Sequence, residues 1–229
     1  MSDKICKIIH CNKNKINNLS KKVKEIEMNC CNGGVTNLPD GSCFSDYLFW
    51  DGNKWKNGNF DDKKRVHIGC NAGKNNQGSS TIAIGENAGN QEQKSNAISI
   101  GFCTGFRKQG EDSIAIGEKA GNSSQKANAI AIGNSTSSNM QATNAIAIGN
   151  NAGFQNQGED SIAIGEKAGI LNQHSNTIIL NATGTSLDSI TPNSFYVNPI
   201  RGTGSAVNLC PLYYNTGTHE ILYFIGGKF

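Results

Sequence analysis

Glycine recurs every 16 residues through the middle of this chain, at Gly69, Gly85, Gly101, Gly117, Gly133, Gly149 and Gly165. Glutamine keeps the same beat at Gln77, Gln93, Gln109, Gln125, Gln141, Gln157 and Gln173. A fixed period over seven units demands an architecture in which each unit stacks on the last, because one such unit cannot bury an apolar face alone. Each glycine closes a three-residue run, as in Ile82-Ala83-Ile84-Gly85. In register these runs are Val66–Ile68, Ile82–Ile84, Ile98–Ile100, Ile114–Ile116, Ile130–Ile132, Ile146–Ile148, Ile162–Ile164 and Ile178–Leu180. β-Branched residues bounded by glycine read as short strands. A small residue and usually a second glycine (Ala88 and Gly89, for example) then complete a corner, a second short strand ends at the glutamine, and Asn or Asp turns the chain back. Sixteen residues thus make two strands and two turns, one coil of a parallel β-roll. Seven coils give a rod on the order of 35 Å, with the glutamines close enough to form an amide ladder. Strand side chains alternate. The isoleucines are therefore expected to line the interior. The residues between them, mostly alanine, with His67, Ser99 and Ile179 as exceptions, are expected to face outward.

The flanks read differently. Residues 4–30 carry a heptad, with Ile9, Ile16, Val23 and Cys30 on one position and Ile5, Asn12, Leu19 and Ile26 on the other. That spacing predicts a coiled-coil trimerisation helix over 1–31, in which Ile5, Ile9, Asn12, Ile16, Leu19, Val23 and Ile26 form the seam between parallel chains. The adjacent Cys30 and Cys31 end it, and residues 32–46, rich in Gly, Asn, Asp and Ser, read as a linker. Residues 47–65 hold a β-hairpin adaptor, marked by Asp51-Gly52 between aromatic flanks, with Trp50 and Trp55 as its anchors. The repeat domain covers 66–180. Residues 181–229 are a C-terminal β cap with a strand near Ser194–Ile200 and a hairpin over Leu212–Phe224. The fold class is mainly β: a parallel β-roll (solenoid) preceded by a trimeric coiled coil and capped by a C-terminal β-hairpin.

Composition removes several function classes. The net charge of +3, with both signs mixed, gives no nucleic-acid signature. No stretch reaches the roughly 18–20 apolar residues of a membrane span, so no membrane insertion is expected. The start, Met1-Ser2-Asp3-Lys4-Ile5, lacks the apolar block of a signal peptide. The chain is therefore expected to be made in a reducing compartment, where its eight cysteines need not pair. Acidic residues occupy the repeat corner only at Asp112 and Asp160, too few for a calcium-binding roll. The four histidines are scattered, and no nucleophile–base set or phosphate-binding motif occurs. The expectation is no enzyme, no metal and no cofactor. One irregularity stands out, where Phe102, Phe106 and Arg107 replace the polar corner residues and Phe154 repeats Phe106 three coils later. These four form a candidate binding surface, because aromatic and arginine side chains anchor recognition; the alternative is burial against a neighbouring chain.

The run Asn144-Ala145-Ile146-Ala147-Ile148-Gly149 resembles the head repeats of trimeric autotransporter adhesins, which are left-handed parallel β-rolls packed three abreast. The period is longer here, and neither a secretion signal nor a membrane barrel accompanies it. The order of coiled coil, repeat and closing motif is similar to fibre or spike proteins of large DNA viruses and phages. Phe195-Tyr196-Val197-Asn198-Pro199-Ile200-Arg201 and Leu212-Tyr213-Tyr214-Asn215 look like segments of giant-virus structural proteins. The resemblance implies a homotrimeric virion structural protein, a short fibre or spike made in the host cytoplasm and carried on the particle surface. Its partners would be other capsid proteins, bound through the N-terminal region, and a host surface glycan or protein. The alternatives are a capsid cement or minor capsid protein without a receptor role, and a non-viral trimeric adhesin.

Overall fold

A computed structural model describes residues 15–23, 48–50, 53–57, 64–201 and 212–223. Residues 66–198 form a parallel β-solenoid. Its larger sheet has nine strands in chain order, from Val66–Ile68 through Ile178–Asn181 to Phe195–Asn198. A second sheet stacks Gln91–Gln93, Arg107–Gln109, Ser123–Gln125, Asn139–Gln141 and Gln155–Gln157. Single bridges at Asn75 and Leu171 extend it by one coil at each end. Within the repeat both ladders pair residues 16 positions apart, as Ile130 with Ile146 and Gln141 with Gln157, and the last strand pairs at 17, Ile178 with Phe195.

The interior is the reverse of the expected one. Each coil sends four side chains inward. In successive coils these include Ala83, Ala88, Gln93 and Ala97; Ser99, Thr104, Gln109 and Ser113; and Ala147, Ala152, Gln157 and Ser161. All are essentially fully buried. The flanking isoleucines point out and remain partly exposed, reaching 37% at Ile148 and 40% at Ile164. The reason is width. Two three-residue strands joined by tight corners enclose a bore that accepts methyl and hydroxyl groups beside one extended carboxamide, and two isoleucine columns do not fit.

The glutamines hold this narrow bore. Gln141 Nε2 donates to the carbonyls of Ile130 (2.8 Å) and Ala145 (3.0 Å) within its own coil and to Gln157 Oε1 (3.0 Å) in the next. Gln125 Nε2 in turn donates to Gln141 Oε1 at 3.0 Å, so an amide ladder runs through three coils. The second glycine of the corner makes room for it, since a Cβ on Gly121 would stand 2.7 Å from Gln125 Oε1. Where Ser137 replaces that glycine, its hydroxyl donates to Gln157 Oε1 at 3.1 Å. The first glycine is needed for a different reason. Gly133 has φ 132°, and a Cβ there would lie 2.7 Å from the carbonyl oxygen of Gly149. Corner residues such as Asn96, Asp112, Asn128, Asn144 and Asp160 adopt φ of 53–60°, the left-handed region that Asn and Asp tolerate best among residues with a Cβ.

On the second-strand side, the last coil is closed by side chains rather than by another strand. Leu171 N donates to Asp188 Oδ1 (3.0 Å) and His174 N to Ser189 Oγ (2.8 Å), replacing the carbonyls a further repeat would supply. Tyr196 lies beneath Ile179 and packs against the end of the buried cluster. Thirteen consecutive residues, Gln109–Gly121, recur unchanged as Gln157–Gly169, so two levels three coils apart share the same chemistry. Asn96 reaches Asp112 and Asn144 reaches Asp160 by matching 2.9 Å hydrogen bonds.

Outside the roll, Leu48–Trp50 and Trp55–Asn57 pair antiparallel with Trp50 opposite Trp55, as the Asp-Gly turn predicts. Leu212–Asn215 and Glu220–Tyr223 form the second hairpin, paired with each other. Residues 15–23 are helical, and Ile16, Leu19 and Val23 are exposed on that helix. The remaining expected seam positions Ile5, Ile9, Asn12 and Ile26, the Cys30–Cys31 pair and the linker 32–46 lie outside the described residues.

Candidate functional site

The fold turns the isoleucines into a continuous surface feature of the roll. One outward column runs Val66, Ile82, Ile98, Ile114, Ile130, Ile146, Ile162 and Ile178, and the other runs Ile68, Ile84, Ile100, Ile116, Ile132, Ile148, Ile164 and Leu180. Equivalent residues sit one strand spacing apart, so the two columns make an apolar stripe roughly 35 Å tall. The strand that breaks the period continues both columns: Phe195 aligns with Ile178 and Val197 with Leu180. Phe195 is 53% exposed, although its position is not fixed by the repeat. The two columns thus form one continuous, partly exposed apolar stripe along the roll. The sequence contained the signal for it. Fixed spacings from the strand alanine to the corner residue and to the glutamine define one inward set, which leaves the isoleucines outside.

The four residues of the irregular corner are not gathered into one site. Phe102 is exposed on the first corner of its coil, in register with Glu86 and Glu118. Arg107 opens the second strand directly after Phe106, and its guanidinium lies 5.5 Å from the Phe106 ring centroid, a cation–π contact. Phe154 holds the register of Phe106 three coils away, about 14 Å along the axis, and is half-buried.

Two ionisable groups in the roll are shifted. The Tyr196 hydroxyl accepts hydrogen bonds from the backbone N–H of Ile190 (2.9 Å) and of Thr191 (3.0 Å), beside the Thr191 hydroxyl at 3.3 Å. These bonds, that from the Thr191 side chain foremost, favour the phenolate and bring its pKa down to about 8. His67 occupies the interior position of the first coil, and burial, aided by the charge of Arg65, lowers its pKa to about 4. Cys70 and Cys103 are free thiols on turns two coils apart. Among the described residues no three His, Cys, Asp or Glu side chains converge as a metal site. Among the described residues no helix is long and apolar enough to cross a membrane. No family model, curated protein or solved structure matches this chain.

Proposed function

We propose that the protein is a homotrimeric structural element, a short rigid fibre or spike on a virion surface, in which the isoleucine stripes of three chains pack together about a common axis. The observation that carries this reading is the inverted roll. Its fully buried apolar residues are alanines and Ile179, while the larger side chains face outward. Buried methyl groups of alanine contribute little, on the order of 0.8 kcal/mol each. Isoleucines closing against neighbouring chains supply the core that a single roll lacks. The cap strand keeps Phe195 and Val197 in the same columns, and the exposed Ile16, Leu19 and Val23 of the helix over 15–23 form a stripe suited to the same threefold assembly. The exposed Phe102 and Arg107 lie off the isoleucine columns and are the residues offered for a host glycan or protein.

Immunogold labelling of purified particles, with antibodies raised separately against residues 1–31 and against the roll, tests the assignment. Labelling of intact particles by the roll antibody and not by the N-terminal one supports a fibre anchored at its base. Absence of the chain from purified particles refutes the virion role. Labelling only after particles are opened points instead to a cement protein.

A further inference from the structure

The side of the roll that carries the second sheet is divided in charge along the rod. Its segments, one per coil, are 74–78, 90–94, 106–110, 122–126, 138–142, 154–158 and 170–174, each sending its glutamine inward. The first four carry Lys74, Lys94, Arg107, Lys108 and Lys126 against a single carboxylate, Glu92. The last three carry no lysine, arginine or carboxylate. Backbone pairing sets the register of the cations. Lys94 N donates to Gln109 O and Lys126 N to Gln141 O, so these two lysines hold one position on coils two apart. The coil between them bears Arg107 and Lys108, with Arg107 level with Gln91 on one side and Ser123 on the other. Lys74 precedes Asn75, which bridges to Gln91 from one coil further. The row spans three coil spacings, about 14 Å. All five side chains are exposed. On the first corner, Lys119 is neutralised by Glu118 at 3.1 Å and Lys167 by Glu166 at 3.3 Å. Among the described residues none of the five in the row makes an ion pair. Glu92, level with Lys108, is half-buried. Glu111 and Asp112 follow on the next corner, where Asn96 engages Asp112 at 2.9 Å.

We propose that this row binds a linear anionic polysaccharide through sulfate or carboxylate groups along the sugar chain. The inference rests on the reading that residues off the isoleucine columns are offered to a host glycan or protein, and it names the ligand class. Exposed cations on successive coils match a ligand whose charges also repeat along a line, whereas a single small anion engages one or two of them. Arg107 is held ready for such a group: its guanidinium lies 5.5 Å from the Phe106 ring centroid, and its fork matches a carboxylate or sulfate with two parallel hydrogen bonds. The same contact disfavours a nucleic acid strand. Single strands bind by stacking bases on open aromatic faces, and Phe106 is half-buried with the guanidinium against it. A lipid surface calls for apolar side chains beside the cations, and the exposed Met140 and Leu171 lie on the uncharged half instead. The isoleucine stripe belongs to the other sheet, so assembly through it does not use the row.

Biolayer interferometry of the full-length protein on immobilised heparin and on immobilised hyaluronan tests the row, the first presenting sulfates and carboxylates and the second carboxylates alone. Saturable binding to at least one is expected at about 50 mM salt, weakening as salt rises. Arg107→Ser with Lys108→Ser installs the residues of the next coil, Ser123 and Ser124, and should lower affinity about tenfold. Lys126→Ala, which installs the residue found at Ala142, should lower it about threefold. Lys119→Ser, on the first corner, should leave it unchanged. Binding to neither glycan overturns the proposal. So does undiminished binding by the double variant, which would assign it to other lysines such as those of residues 4–24, and so does tighter binding to single-stranded DNA than to either glycan. Particles that carry the chain while the purified protein ignores both glycans remove this proposal and leave the fibre reading standing. Glycan binding lost in the double variant, by a chain absent from particles, does the opposite.

Discussion

The carboxamide ladder makes a quantitative demand on Gln141. Replacing it with leucine keeps the volume of the side chain and removes its hydrogen bonds. Its two N–H groups serve three acceptors, Ile130 O, Ala145 O and Gln157 Oε1, one N–H being shared between two of them, and its oxygen accepts from Gln125 Nε2, all between 2.8 and 3.0 Å. Two donors and one acceptor at about 1 kcal/mol net each give a gross loss of roughly 3 kcal/mol. Two partners keep other bonds: Gln157 Oε1 retains Ser137 Oγ, and Ala145 O retains Ile130 N. Burying leucine in place of the amide returns about 1–2 kcal/mol, so Gln141→Leu should cost roughly 1–2 kcal/mol. Gln155→Leu is the internal control, because Gln155 sits on the outer side of the neighbouring coil's strand and is half-buried. It should change stability by less than about 0.5 kcal/mol. Urea denaturation at one fixed protein concentration, monitored by far-ultraviolet circular dichroism, reads both. A Gln141→Leu midpoint equal to that of the unmodified protein would refute the idea that inward amides hold the bore together.

Other parts of the structure give separate tests. Gly133→Ala places a Cβ 2.7 Å from Gly149 O at φ 132°, and it should cost on the order of 3 kcal/mol or more by thermal melting; a melting temperature within a degree of the native value would contradict the corner geometry. Removing residues 112–159 joins identical sequence to identical sequence, so the shortened chain should fold with an unchanged strand signal per residue and a rod about 14 Å shorter by small-angle X-ray scattering. Ultraviolet difference titration should find one tyrosine ionising near pH 8, and Tyr196→Phe should remove that step. The lowered value belongs to the folded state, so Tyr196 adds stability as pH rises from about 8 toward the ordinary value of 10.

The period, the strand positions, the parallel stacking and the Asp51-Gly52 hairpin were legible in the residues because each follows from local chemistry. Glycine at the corners, isoleucine in the runs and an aspartate–glycine turn all act within a few positions of themselves. Which face looks inward is a question of cross-section, and strand alternation allows either answer. Ile146-Ala147-Ile148 taken alone favours burying the isoleucines. Gln141, Ala147, Ala152 and Gln157 taken together favour the alanines, because only small side chains leave space beside an extended carboxamide. The candidate surface around Phe102 was legible as an interruption, but its division between two corners and two levels comes from the coil path. The closure of the last coil by Asp188 and Ser189 could not be read in advance, since single polar side chains standing in for a missing strand leave no periodic trace.

Light scattering on the intact chain across a range of micromolar concentrations bears most directly on the claim that one roll is an incomplete unit. The expected mass is three times the 24.4 kDa of the chain, unchanged on dilution, with Ile116→Asp and Ile132→Asp together weakening the assembly. A stable species at 24.4 kDa, folded and soluble with its isoleucine stripe in water, would contradict it.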